Sequence, residues 1–169
     1  APVAIANEVG GVISGGATGF ALNAGTLHGP FTNEGLIQGG TTGASLAADI
    51  FDAPFLNSGE ITGGVDGVVM VLGSASGGFS NSGAISGEWG DGVSISVGTW
   101  GAADARADIV NTATGAITGG ETGFALNAGT VYGDFINDGQ ISGAGENTGV
   151  HIVAGTFNGD IVNNESITS

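Results

Sequence analysis

The chain has 169 residues, enough for one domain, but 36 of them are glycine and only 10% of the residues are charged. The formal net charge is −15 with a single basic side chain. This argues against nucleic acid and anionic membrane surfaces as partners, because binding phosphates requires several Lys or Arg side chains. The absence of cysteine excludes disulfides and thiolate metal sites. No apolar run is long enough for a membrane-spanning helix, so no direct membrane insertion is expected.

An internal repeat organises the chain. Residues 13–37 and residues 117–141 share the core sequence TGFALNAGT, at an offset of 104 residues from Ile13 to Ile117. Weaker copies of the same skeleton follow one another about every 24 to 26 residues, a period typical of stacked arrays in which each repeat is one supersecondary unit. In chain order, the predicted coils form a single domain over residues 1–169 and begin near residues 5, 31, 55, 79, 109, 135 and 161.

Within each unit the apolar residues alternate with polar or small ones. In residues 124–128 (FALNA), the first, third and fifth side chains share one face, which is the period of a strand and not of a helix. Glycine-rich turns separate these short strands, about three to a coil. We therefore predict an all-β fold consisting of a single parallel β-helix, or β-solenoid, of about six coils of 24–30 residues.

Equivalent residues of the coils fall into columns of one chemical type. Because stacked parallel strands place equivalent residues on top of one another, these columns predict ladders along the axis. An amide ladder at the turns is expected for the asparagines Asn33, Asn57, Asn81, Asn111, Asn137 and Asn163. An apolar ladder inside the solenoid is expected for the isoleucines Ile37, Ile61, Ile85, Ile117 and Ile141.

Two interruptions of the period are candidates for a binding face. Residues 98–106 form a predicted loop insertion that carries Trp100 and the chain's one arginine, Arg106. The second tryptophan, Trp89, lies in a slightly enlarged turn. Insertions in solenoids map to loops on one face, which is often the binding face, so these three side chains are the candidate binding residues. The alternative is a loop that covers the flank of the solenoid, with its tryptophan packed down on it.

Three aspartates, Asp108, Asp134 and Asp160, each precede the closing apolar position of a coil. Their carboxylates are expected to stack, and Ca²⁺ accepts oxygen ligands at such spacing, so this column is a candidate cation site. The alternative is a row of solvated carboxylates that keep the surface soluble. No other cofactor is indicated. The remaining acids are scattered through turns, unlike the paired carboxylates of glycan-cleaving enzymes, so the chain is predicted not to be an enzyme.

The pattern N-x-G-x-I-x-G-G-x-x-G, followed by an apolar strand, recurs in residues 33–43 and 57–67 and, with an expanded turn, in residues 137–149. These units resemble the passenger regions of bacterial autotransporters and related surface adhesins. The resemblance implies a right-handed parallel β-helix that is exposed on, or released from, the bacterial outer membrane. An extracellular location is therefore expected.

The resemblance favours a non-enzymatic adhesin or stalk segment, whose partners would be a host-surface protein or a glycan. Because the terminal coils of a solenoid expose strand edges, the stack is expected to continue, either into further coils of a parent chain or into another copy. A self-assembling extracellular filament subunit that stacks end to end is therefore the alternative function. A polysaccharide-active β-helix enzyme is a third and less favoured hypothesis.

Overall fold

The computed structural model describes residues 4–144 and 148–169, and every regular element in these ranges is a β-strand. The strands form three parallel sheets that stack as a β-solenoid of about six turns. The predicted fold class is therefore confirmed. The described residues contain no helix that could span a membrane.

The strands follow one another in groups of three, one for each side of a coil. The first part of the chain contains β1 (Ile5–Asn7), β2 (Val12–Gly15), β3 (Thr18–Leu27), β4 (Phe31–Asn33), β5 (Leu36–Gly39), β6 (Thr42–Phe51), β7 (Phe55–Asn57), β8 (Glu60–Gly63), β9 (Asp66–Ala75) and β10 (Phe79–Asn81). The second part contains β11 (Ala84–Gly87), β12 (Val93–Trp100), β13 (Ile109–Asn111), β14 (Ala116–Gly119), β15 (Phe124–Tyr132), β16 (Phe135–Asn137), β17 (Gln140–Ser142), β18 (Val150–Asn158), β19 (Ile161–Asn163) and β20 (Ser166–Thr168).

Each sheet runs the length of the stack and is built from every third strand. The phenylalanine sheet has the order β1-β4-β7-β10-β13-β16-β19, and the isoleucine sheet has the order β2-β5-β8-β11-β14-β17-β20. The long sheet has the order β3-β6-β9-β12-β15-β18. Equivalent residues pair in register, as Asn33 does with Asn57 and Ile37 with Ile61. Neighbouring strands are therefore one coil apart in sequence and about 4.8 Å apart along the axis.

The turns between the sheets form three corners along the stack. The asparagine corner joins the phenylalanine sheet to the isoleucine sheet, the glycine corner joins the isoleucine sheet to the long sheet, and the insertion corner joins the long sheet to the phenylalanine sheet. Glycine is required at the glycine corner because the chain turns so sharply there. A Cβ at Gly63, for example, would overlap the carbonyl oxygen of Asp66.

The core fills the narrow interior between the three sheets. The rings of Phe31, Phe55 and Phe79 stack with centroids 4.7 and 5.0 Å apart and with planes inclined by only 9° and 5°. Each fully buried side chain of this kind contributes roughly 1.5–3 kcal/mol, because it is removed from water. A second buried column contains the isoleucines Ile37, Ile61, Ile85, Ile117 and Ile141.

The insertion is shorter than the sequence pattern predicts. The predicted loop over residues 98–106 is wrong at its start, because its first three residues belong to β12, where Trp100 pairs with Val131. The lengthened turn consists of residues 101–108, where an ordinary coil has only residues 52–54. The alternation of apolar residues ends at Val97, but Thr99 and Trp100 stay in register with β9 and β15, so the strand continues up to the tryptophan before the chain leaves the sheet.

Candidate functional site

The asparagine corner carries a continuous hydrogen-bond ladder. Each side-chain Nδ2 donates to the Oδ1 of the asparagine in the next coil, at 2.8–2.9 Å, from Asn7 to Asn163. The same amides donate to backbone carbonyls, as Asn33 does to Gly35 and to Glu60 at 3.2 Å. These side chains hold neighbouring coils together, so we assign them a structural role. The ladder includes Asn33, Asn57, Asn81, Asn111, Asn137 and Asn163.

At the insertion corner, Trp100 is fully buried beneath the extra chain. Its Nε1 donates to the carbonyl oxygen of Ala107 at 3.0 Å. The assignment of Trp100 to a binding face is therefore wrong. Its indole continues the apolar column of the long sheet and packs into the core, and two backbone hydrogen bonds between Ala102 and Ala105 tie the covering insertion together.

The aspartate column at the same corner binds backbone groups. The N–H of Asp134 donates to Oδ1 of Asp108, and the N–H of Asp160 donates to Oδ1 of Asp134, both at 2.9 Å. Arg106 is exposed, and its Nη2 donates to the same oxygen of Asp134 at 2.7 Å. The backbone N–H of Asp160, with the guanidinium of Arg106 as a further contribution, holds the pKa of Asp134 below its ordinary value.

The calcium site predicted at Asp108, Asp134 and Asp160 is not formed. Among the residues that the structure describes, no group of three or more His, Asp or Glu is placed to hold a metal ion. The column instead passes hydrogen bonds from coil to coil, and the guanidinium of Arg106 compensates the charge of the middle carboxylate. We therefore assign the three aspartates a structural role in the turns that precede β13, β16 and β19, with Arg106 paired to the middle one.

Trp89 projects from the glycine corner. Glu88 takes the place that Gly64 has in the preceding coil, and Gly90 donates its N–H to the carbonyl oxygen of Val65 at 2.9 Å. The turn that carries Trp89 is therefore one residue longer than the preceding turn. Trp89 is the extra residue, and its side chain points out of the corner. It is 71% exposed. The structure permits its assignment as a binding residue, which stays a prediction.

An open groove of about 630 Å³ runs along the glycine corner. Trp89 does not line it but follows Glu88, which does, and a Cβ built on Gly120 of the groove would lie 2.7 Å from the Cα of Trp89. One of its walls is polar and consists of Gln38, Thr62, Ser86 and Thr118. Its floor consists of Gly40, Gly64, Glu88 and Gly120. The hydroxyl groups of Thr118 and Ser142 lie 3.4 Å apart, so the polar row continues into the next coil. Sequence reasoning missed this groove, although a glycine recurs in the floor column and is replaced by glutamate in the coil that carries the extra tryptophan.

The structure does not bring the three predicted binding residues together. Trp89 lies at the glycine corner, between β11 and β12, whereas Arg106 lies at the insertion corner, between β12 and β13. Trp100 is inside the core. The glycine corner is therefore the candidate binding site, because it combines an exposed aromatic ring with a polar groove.

Comparisons of the chain with protein-family models, with curated proteins and with solved structures gave no match. Three features of the molecule therefore bear on its function. These are the stacked coils, the directional asparagine ladder and the groove at the glycine corner.

Proposed function

We propose that the chain is a non-enzymatic stalk or adhesin segment of an extracellular surface protein, in which the stacked coils serve as a rigid spacer. The observation that carries this proposal is the unbroken asparagine ladder, which links the coils from Asn7 to Asn163. The location on the outside of a bacterial cell is proposed from the resemblance to autotransporter passenger regions. The cysteine-free composition is in keeping with export.

In a stack of this kind, every added coil lengthens the molecule along one axis. Each coil adds about 4.8 Å, and parallel strand pairs in three sheets join it to its neighbours. Bending the stack would separate equivalent residues on its outer side. This would break ladder hydrogen bonds that contribute roughly 0.5–1.5 kcal/mol each. The geometry therefore favours a stiff spacer that holds another part of a protein away from a surface.

A duplication that preserves the register tests the spacer role. Because residues 13–37 and 117–141 are equivalent, a second copy of residues 13–116 inserted after Ala116 keeps every column in phase and adds four coils. A stiff spacer predicts that the maximum dimension in small-angle X-ray scattering increases by about 19 Å, four times the strand spacing. The cross-section should stay constant.

The control for this experiment is an equally long Gly/Ser segment at the same place, which is expected to add flexible chain without ordered length. If the duplicated chain gains no length, or if its cross-section increases, the coils do not form a continuous spacer and the proposal fails.

A self-assembling filament subunit is the second candidate function, and the direction of the ladder favours it. Every amide donates toward the C-terminal coil, where Nδ2 of Asn163 donates to the carbonyl oxygen of Glu165 at 2.8 Å. A further coil would offer Asn163 the same kind of Oδ1 acceptor, whether it belongs to a continuing chain or to the Asn7 coil of a second copy. Head-to-tail contacts of this kind produce open fibres.

Sedimentation at increasing protein concentration tests the filament function. A filament subunit should gain mass with concentration, and Ile5→Lys or Ile167→Lys should abolish the gain, because a charge in the apolar column opposes stacking. Val71→Lys is the matched control, since Val71 is exposed on the side of the stack. A monomer at all concentrations would remove the filament function and leave the spacer proposal in place.

A further inference from the structure

We propose that the groove at the glycine corner binds a neutral, linear oligosaccharide, with the indole of Trp89 stacked on a sugar ring. This inference names a partner for the adhesin part of the proposed function and rests on that function only in this respect. It is carried by the floor of the groove, its polar wall, the exposed indole and the local charge.

The floor is a trough with few side chains. A Cβ at Gly40 would overlap the carbonyl oxygen of Gly16, and a Cβ at Gly64 would overlap that of Gly40. At these two positions the stacked backbones leave no room for a Cβ, so this part of the floor carries no side chains. Because the trough crosses successive coils, it runs along the axis of the stack. Its shape suits a linear polymer that lies along the spacer.

The backbone N–H groups of the floor are already paired. The N–H of Gly64 donates to the carbonyl oxygen of Gly39 at 3.2 Å, and the N–H of Glu88 donates to that of Gly63 at 3.0 Å. A peptide that extends a sheet requires unpaired backbone groups at a strand edge. The N–H groups of the floor already bond to the neighbouring coil. The groove therefore favours a ligand that contacts the protein's side chains over a peptide that adds a strand.

The polar wall presents one side chain from each coil. Thr62, Ser86 and Thr118 supply hydroxyl groups, and Gln38 supplies an amide. Each of these groups both donates and accepts hydrogen bonds, as sugar hydroxyls do. Because the coils are about 4.8 Å apart, the wall offers a repeating set of partners to consecutive rings of a sugar chain.

Trp89 is the apolar residue next to this polar groove, because it follows Glu88 and its Cα lies beside Gly120, both of which line the groove. Trp89 is 71% exposed, whereas every other Phe, Tyr or Trp among the described residues is buried or half-buried. The corner of the preceding coil closes without an equivalent residue, so the indole is not needed to complete the turn. A flat indole face suits the C–H face of a sugar ring, and its N–H stays free to donate to a hydroxyl group.

The local charge selects among sugars. Glu88 places a carboxylate in the floor, next to Trp89, and a carboxylate accepts hydrogen bonds from two neighbouring hydroxyl groups. The chain as a whole carries a formal charge of −15. Uronic acids and sulfated sugars would be repelled by this field, so the geometry favours a neutral oligosaccharide.

Titration with cello-, xylo-, malto- and chito-oligosaccharides tests the proposal. Because Trp100 is buried and Trp89 exposed, a saturable change in tryptophan emission with protection from acrylamide quenching reports on Trp89. Calorimetry then compares variants. Trp89→Ala should weaken binding by about tenfold or more, and Glu88→Gly, which restores the glycine of the neighbouring coils, should weaken it as well. Val71→Ala, an exposed position on the long sheet, should leave the affinity unchanged.

The proposal is overturned if none of these oligosaccharides binds at millimolar concentration, or if Trp89→Ala binds as tightly as the unaltered chain. Tighter binding of an anionic oligogalacturonide would contradict the choice of a neutral ligand. The duplication experiment is independent of these results, so a spacer that lengthens without binding sugar would reject the site alone. Shortened oligosaccharides among the products would support the site and contradict the non-enzymatic function.

Discussion

The two extended corners of this solenoid place their tryptophans in opposite environments. At the insertion corner, Trp100 is the last residue of β12, and the extra chain follows it and covers it. At the glycine corner, Trp89 is itself the extra residue. Its neighbours Glu88 and Gly90 stack on residues of the preceding coil, but Trp89 has no equivalent in that coil and does not enter the core. In a stacked fold, the position of a side chain relative to the columns therefore decides its burial more than its hydrophobicity does.

The largest expected effect separates these two tryptophans. Trp100→Ala should destabilise the fold by about 3–5 kcal/mol, because it leaves a cavity in the core. Trp89→Ala should change the free energy of unfolding by no more than about 0.5 kcal/mol, because the side chain is exposed. Denaturant unfolding measures both, and Trp100→Phe should lie between them. Equal losses at the two positions would mean that Trp89 also packs on the fold.

A loss of stability of intermediate size is expected at the asparagine corner. Asn81→Ala removes the donor to Oδ1 of Asn111 and the acceptor of Nδ2 of Asn57. The expected cost is about 1–3 kcal/mol, because a buried carbonyl oxygen is left unpaired. Asn127→Ala is the control, since Asn127 is exposed on the long sheet. If both substitutions have the same small effect in denaturant unfolding, the ladder does not stabilise the stack.

The smallest expected effect concerns the insertion corner and pH. The pKa of Asp134 lies below its ordinary value, chiefly because the backbone N–H of Asp160 donates to its carboxylate. Such a group stabilises the fold above its unfolded-state pKa, and this contribution is lost as the pH falls through the folded-state pKa. Asp134→Asn should therefore lower the melting temperature slightly at neutral pH, and the difference should disappear in acid.

The control for this pH series is Asp104→Asn, which changes an exposed carboxylate of the same insertion. It should have no comparable effect at either pH. A higher melting temperature of the Asp134→Asn variant at neutral pH would show instead that repulsion along the aspartate column outweighs its hydrogen bonds.

The coils could be predicted from the sequence because each column holds one chemical type. The buried positions of Ile61 and Ile85 and the pairing of Asn57 with Asn81 follow directly from that repetition. Trp100 was misplaced because the lengthened unit concealed its column. It follows Thr99, which pairs with Thr130, so the next residue had to align with an apolar position of the long sheet.

The groove could not be predicted in the same way. It depends on how the turns of different coils lie relative to one another, and a pattern of glycines does not indicate whether the space above them is open or filled. The aspartate column shows a similar limit. Its spacing fits ligands for a cation, but the side chain of Asp108 turns toward the backbone N–H of Asp134. That choice depends on a rotamer that spacing alone does not determine.

The ladder at the asparagine corner also bears on how the chain folds. It joins residues 24 positions apart, as between Asn57 and Asn81, or 30 apart, as between Asn81 and Asn111. This separation is set by one coil and does not grow when coils are added, so the entropy of loop closure is nearly the same for every coil that docks on a finished neighbour. Relative contact order consequently falls as the array lengthens. Folding is therefore expected to spread from the first pair of coils to form, with nucleation and not total length setting the rate.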